Sequence, residues 1–238
     1  MSALLEVQGL GKRFGGLVAN LDITFAIAPA QIIGLIGPNG AGKTTLFNCI
    51  AGFYPPSEGH ILFDGREVTG AAPDKMAMLG VARTFQLVRT FSTMSALENV
   101  TVATLLHDKR LSIARERAMQ ALEFCGLSRR ASVVAANLTV AEQRRLEVAR
   151  ALGLEPKLLL LDEMMAGLNP AEVQEAVALV GRIQSRGIAC LIVEHVMEGI
   201  MPIAGQIVVL DYGRKIAQGT PAEVRQDPAV IAAYLGEA

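Results

Sequence analysis

The sequence predicts an α/β fold on a mostly parallel sheet, extended by an antiparallel β subdomain and an inserted helical subdomain. Three observations carry this expectation. Ile32-Ile33-Gly34-Leu35-Ile36 is a short apolar run that meets a glycine-rich turn and then the helical opening Thr45-Leu46-Phe47-Asn48-Cys49-Ile50. Leu158-Leu159-Leu160-Leu161-Asp162 is apolar on both faces and ends in an acid, as a buried parallel strand does at its carboxyl edge. Between the two, residues 87 to 155 lose strand character and read as helices.

The turn after Ile36 is Gly37, Pro38, Asn39, Gly40, Ala41, Gly42, Lys43 and Thr44, with Thr45 just beyond. This is the G-x-x-x-x-G-K-[ST] pattern in the strand-to-helix context that gives it meaning, so the core is expected to be a P-loop NTPase. Such a turn aims backbone N–H groups at a phosphate chain, and the helix dipole reinforces them. Gly37, Gly40 and Gly42 permit the required backbone angles. Lys43 can reach the terminal phosphates, and Thr44 can ligate Mg²⁺.

Taken in order, Leu4 to Leu10 and Leu21 to Ile27 alternate as antiparallel strands around the Gly15-Gly16 turn. Phe14, on that connection, fits either purine stacking or a small core. Gly59 to Gly65 reads as a further short strand, Pro73 to Leu79 as a helix, and Gly80 to Phe85 as a strand ending at Gln86. Met94 to Leu106, capped by Ser92 or Ser95, and Ile113 to Cys125 are helical. Thr139-Val140-Ala141-Glu142 matches a capping box and starts a helix running through Leu152. Then come a helix from Glu172 to Ser185, a strand from Ala189 to Val193, and strands Gln206 to Leu210 and Lys215 to Gln218 around Asp211-Tyr212-Gly213. Helices from Pro221 to Arg225 and Pro228 to Leu235 close the chain. Residues 1–86 and 156–238 form two parts of one nucleotide-binding core, and 87–155 the helical subdomain between them.

Composition narrows the function. With 22 basic and 23 acidic residues, no global charge favours nucleic acid. Cys49, Cys125 and Cys190 stand apart in apolar settings and read as core residues of a reducing compartment. No signal peptide is evident from Met1 to Glu6, and no apolar run is long enough for a membrane span. A hydrophobic content of 51% is high, which points to parallel-sheet burial and a docked apolar surface.

Asp162-Glu163 gains meaning from the phosphate loop about 120 residues upstream. Asp162 would hold Mg²⁺, and Glu163 would polarise the attacking water, unless it is only a surface acid. Gln86 can bridge Mg²⁺ and that water. His195, after the next central strand, either reaches the γ-phosphate or is a satisfied edge histidine.

These motifs, in this order, resemble the ATP-binding subunit of an ABC transporter over essentially the whole chain. By that resemblance Phe14 is the adenine-stacking aromatic, Gln86 the glutamine-loop residue, Glu163 the catalytic glutamate, and His195 the switch histidine. Asn169, in Ala166-Gly167-Leu168-Asn169-Pro170, lies in the loop that contacts the opposite subunit. Ala82-Arg83-Thr84-Phe85-Gln86, that loop, and the ending Ile231 to Glu237 resemble the larger ATPase of branched-chain amino-acid importers. The implied partners are a second ATPase subunit, two transmembrane permease subunits and, indirectly, a periplasmic solute-binding protein. The implied location is peripheral, on the cytoplasmic face of the bacterial inner membrane. The junction Leu87-Val88-Arg89-Thr90-Phe91 would receive a short helix of a permease subunit.

Relatives serve urea, other amides or aromatic acids, and a low-turnover nucleotide-dependent interaction subunit is a third reading. The sequence departs from the family pattern at several points. The family LSGGQ signature is here Leu138-Thr139-Val140-Ala141-Glu142, without its glycines and with an acid for its glutamine. Met164 stands for a proline, Val196 for an aspartate, and Asn169 for an acid. The signature half-site Thr139, Val140, Ala141 and Glu142 is therefore expected to bind the partner's ATP but close on it less tightly.

Overall fold

A computed structural model describes residues 3–235. Met1 and Ser2 of the amino-terminal reading, and Gly236 and Glu237 of the ending, lie outside the described residues. The first layer is a four-stranded antiparallel sheet in the order β2-β1-β4-β5. It comprises β1 (Leu5–Phe14), β2 (Leu17–Ile27), β4 (Glu58–Phe63) and β5 (Arg66–Glu67). β1 is longer than period-2 reading suggests, because its register with β2 slips between Val7 and Leu10 and again before Arg13. Gly9, at a φ of 59°, sits at the first slip, and such bulges break the alternation without ending the strand. Phe14 therefore closes β1 rather than lying on the connection.

The second layer is a six-stranded sheet in the order β10-β9-β3-β8-β7-β6. Its strands are β3 (Ile32–Ile36), β6 (Val81–Arg83), β7 (Leu158–Asp162), β8 (Ala189–Val193), β9 (Gln206–Asp211) and β10 (Arg214–Gly219). All neighbours are parallel except the β9–β10 hairpin. The expected strand to Phe85 stops at Arg83. β6 is an edge strand whose last pair is Arg83 with Leu160, and the Thr84 N–H takes the Leu160 carbonyl. Gln86 is thereby released into a loop.

Alternation along the central strands divides the core into two apolar clusters. Ile33, Leu35, Leu158, Leu160, Leu191 and Val208 face the antiparallel sheet and helix α1 (Lys43–Ile50). Ile32, Ile36, Leu159, Leu161, Ile192 and Val209 face the other way, towards α6 (Pro170–Ser185) and the helical insertion. The buried cysteines divide between these clusters, and burial pushes the thiols of Cys125 and Cys190 up to about 12.

The segment between β6 and β7 contains α3 (Ala96–Thr104), α4 (Leu111–Phe124) and α5 (Val140–Leu152). Capping boxes start α3 at Ser95 with Glu98 and α5 at Thr139 with Glu142. The remaining helices are α2 (Pro73–Leu79), α7 (Met197–Ile200), α8 (Pro221–Gln226) and α9 (Pro228–Leu235). Among the described residues, no helix is long and apolar enough to cross a membrane.

Candidate active site

The carboxyl ends of β3, β7 and β8 converge on one face, and the site is built there. Beyond β3, Gly37 takes a φ of 150°, and a Cβ would come within 2.1 Å of the Leu210 carbonyl. Gly42 has a φ of 94°, and a Cβ there would collide with Ala19 O and Asn20 Nδ2 at 2.5 Å. The buried Asn20 explains this closeness, since its amide donates to the Gly42 carbonyl at 3.1 Å. Gly42 precedes α1, and no side chain caps this helix. Its first N–H groups are left for a ligand.

Lys43 is 6% exposed and folds back on the loop, donating to the carbonyls of Gly37 at 2.7 Å and Pro38 at 2.8 Å. Burial lowers its pKa, against the opposing charges of Glu163 and Asp162. A cavity of about 460 Å³ opens over the loop, lined by Gly40, Gly42, Lys43, Thr44, Thr45, Gln86, Glu163 and His195. Leu17, Val18 and Tyr212 complete its wall.

Across the cavity, Asp162 ends β7 and is 3% exposed. Its Oδ2 meets Arg83 Nη2 at 3.3 Å, and its N–H donates to Thr84 Oγ1 at 3.1 Å. Burial raises the Asp162 pKa and Arg83 works against it. Glu163 follows at a φ of 48°, a left-handed conformation that turns the chain out of the strand. Its carboxylate accepts from Gln86 Nε2 at 2.9 Å and lies 3.3 Å from His195 Nε2. Lys43, Thr44, Gln86, Glu163 and His195 thus share one cavity, with Asp162 behind it. This can bind a polyphosphate and activate water beside it.

Phe14 is placed differently. It stacks edge-on against Tyr54, with centroids 5.3 Å apart, and is not among the residues lining the cavity. Asn169 caps α6, accepting the Glu172 N–H at 3.0 Å, and lies in the stretch that follows Glu163. Thr139, Val140, Ala141 and Glu142 sit at the start of α5 and do not line the cavity. Arg83 was not singled out by sequence, although it lies within the Ala82 to Gln86 stretch. It pairs with Asp162, donates to Asn48 Oδ1 at 2.7 Å, and packs over Phe85, Phe53 and Phe47.

Residues 21–166 match the ABC transporter family model, and residues 214–238 match that of the branched-chain amino acid ATP-binding cassette transporter. The chain belongs to the ABC transporter ATP-binding subunits, in their branched-chain amino-acid group. This cassette is 42% identical to the high-affinity branched-chain amino acid transport ATP-binding protein BraF of Pseudomonas aeruginosa, covering 99% of this chain and 98% of that one. It is equally similar to LivG of Escherichia coli, which has the same description. It is also 35% identical, over its full length, to the lipopolysaccharide export system ATP-binding protein LptB of Acidithiobacillus ferridurans. Among solved structures, a nucleotide-free ATP-binding cassette of an ABC transporter superposes with a TM-score of 0.91 at 28% identity, covering 99% and 100% of the two chains. A cassette in its ADP conformation gives 0.90 at the same identity. The cassette is accordingly an ATP-binding and ATP-hydrolysing subunit with the P-loop NTPase fold.

Proposed function

We propose that this cassette powers uptake of branched-chain amino acids from the cytoplasmic face of the bacterial inner membrane. It would work there with a second ATPase subunit and two permease subunits, fed by a periplasmic solute-binding protein. The observation that carries the reading is 42% identity, over nearly the whole of both chains, to transport subunits described for this solute class.

In this reading Gly37, Pro38, Asn39, Gly40, Ala41, Gly42, Thr44 and Thr45 cradle the phosphates, and Lys43 leaves the Gly37 and Pro38 carbonyls for them. Thr44, Gln86 and Asp162 offer hard oxygen donors, which with phosphate oxygens suit Mg²⁺. Asp162 Oδ2 is taken by Arg83, which leaves Oδ1 as the oxygen for a cation. When bound, Mg²⁺ neutralises phosphate charge. Glu163 orients and polarises water, with Gln86 and His195 fixing its two oxygens. Phe14 stacks on adenine at the rim, Asn169 touches the opposite subunit, and Thr139 to Glu142 face the partner's ATP.

We place the permease contact in a cavity of about 210 Å³ between core and helical insertion, lined by Phe53, Ala77, Arg83, Phe85, Glu147 and Arg150. Leu87, 78% exposed, lines an adjoining cavity that shares Phe53, Arg83 and Phe85 with it. Leu87→Glu should release the cassette from the membrane subunits while its melting temperature holds. Undiminished co-purification would move the contact elsewhere.

The solute is tested by purifying the native complex and titrating its binding protein with leucine, isoleucine, valine, urea and aromatic acids. Binding of branched-chain amino acids supports the proposal. A preference for urea or aromatic acids replaces the solute, and a complex that co-purifies with lipopolysaccharide instead places the cassette in export.

A further inference from the structure

Glu194 has no role in the site described so far, and its setting is unusual for a carboxylate. It lies between the end of β8 and His195 and is 1% exposed. Its Oε1 accepts the Met165 N–H at 2.8 Å. Oε2 has no partner. Among the described residues, no cation lies within ion-pair distance of it. Buried carboxylates are ordinarily paired, because leaving water costs them heavily.

This one bond joins two segments that both carry site residues. Met165 is two residues after Glu163, in the turn that leaves β7. Glu194 itself begins the segment that leaves β8, one residue before His195. Outside this carboxylate, the two segments meet through the Glu163 N–H on the Val193 carbonyl at 2.9 Å and the Glu163–His195 side-chain contact.

We propose that Glu194 is a positioning residue of the ATPase reaction, whose buried carboxylate ties the turn carrying Glu163 to the strand end carrying His195. It touches neither nucleotide nor water and acts by holding these two side chains in register. The inference rests on the assignment of Glu163 and His195 to hydrolysis. Burial first, and the nearby Glu163 charge after the opposing N–H groups, lift Glu194 to about 7. Its acceptor role therefore does not require full ionisation.

The test compares Glu194→Gln, Glu194→Asp and Glu194→Ala with Glu163→Gln in the assembled transporter, measuring kcat, KM for ATP and melting temperature. Glutamine keeps an acceptor oxygen at the same reach and should retain about half of kcat or more. Aspartate keeps the charge but withdraws the acceptor by one methylene. It should lose about tenfold in kcat with KM for ATP within about twofold, since small displacements of reacting groups are costly. Alanine should lose at least as much, and if it fails to fold, the Asp and Gln pair still decides. Wild-type kcat in Glu194→Asp, or a loss in Glu194→Gln equal to that in Glu194→Asp, overturns the positioning role. A rise in KM matching the fall in kcat also overturns it. Wild-type turnover in Glu163→Gln sinks the catalytic assignment instead, so the two failures are distinguishable.

Discussion

Two helix starts of this chain face nucleotide in the proposed dimer, and they are built in opposite ways. α1 begins at Gly42 with no side-chain cap, so its first N–H groups stay open above the phosphate loop. α5 begins at Thr139 with a full capping box: Thr139 Oγ1 accepts the Glu142 N–H at 3.2 Å, and Glu142 Oε2 accepts the Thr139 N–H at 2.9 Å. Ser95, Asn169 and Thr220 start their helices with the same box. α1 is thus specialised for a ligand at the expense of its own cap. α5 keeps an ordinary cap and has only the N–H groups of Val140 and Ala141 to offer. The Glu142 carboxylate is turned away by Arg130, 2.7 Å from Oε1, which limits its repulsion of a phosphate.

If the α1 side carries the chemistry, its losses should be the largest. Glu163→Gln should leave ATP binding intact and cut turnover of the assembled complex by about 100-fold or more, read by steady-state ATPase assay. Lys43→Ala should weaken nucleotide binding about 10- to 100-fold, as expected for a lost charge-assisted contact, measured with a fluorescent ATP analogue. Similar losses from changes at α5 would erase the distinction between the two ends.

On the α5 side the expected effects are on stability and closure. Glu142→Ala should cost about 0.5 to 2 kcal/mol in urea unfolding without weakening ATP at the opposite site. Burial tends to raise the Glu142 pKa, but the Thr139 N–H and Arg130 outweigh it and leave it lowered. A lowered pKa contributes stability above the unfolded value near 4.5 that is lost as pH falls through the folded one. The difference between wild type and Glu142→Ala should accordingly shrink in acid. The last change is Val140→Gly with Ala141→Gly, each costing up to about 1 kcal/mol of helix. Val140 is 59% exposed, so removing its bulk should tighten ATP-driven pairing with the second ATPase. Unchanged pairing in light scattering would mean that N–H geometry alone sets closure.

What sequence could and could not reveal follows the same physics. β3, β7 and β8 are covered on both faces, so unbroken apolar runs marked their bounds, and the Thr139–Glu142 box was local enough to read directly. β1 was cut short because bulges interrupt its alternation. β6 was extended because Thr84 and Phe85 still look like strand residues, while only the edge position of β6 ends its ladder. Lys43, Thr44, Gln86, Glu163 and His195 were legible as motif residues and do meet in one cavity. Arg83 against Asp162 and Glu194 against Met165 join residues 79 and 29 positions apart. No spacing rule encodes such pairs, and only the packed sheet brings them together.

The strand order has a consequence for how the protein is made. β3, which launches the phosphate loop, is central in the sheet, yet its neighbours β8 and β9 emerge from the ribosome more than 150 residues later. Closing so long a chain loop around one short strand delays the site until β8 and β9 have been synthesised. A nascent chain ending before Ala189 would therefore carry the whole phosphate-loop sequence with both edges of β3 unpaired.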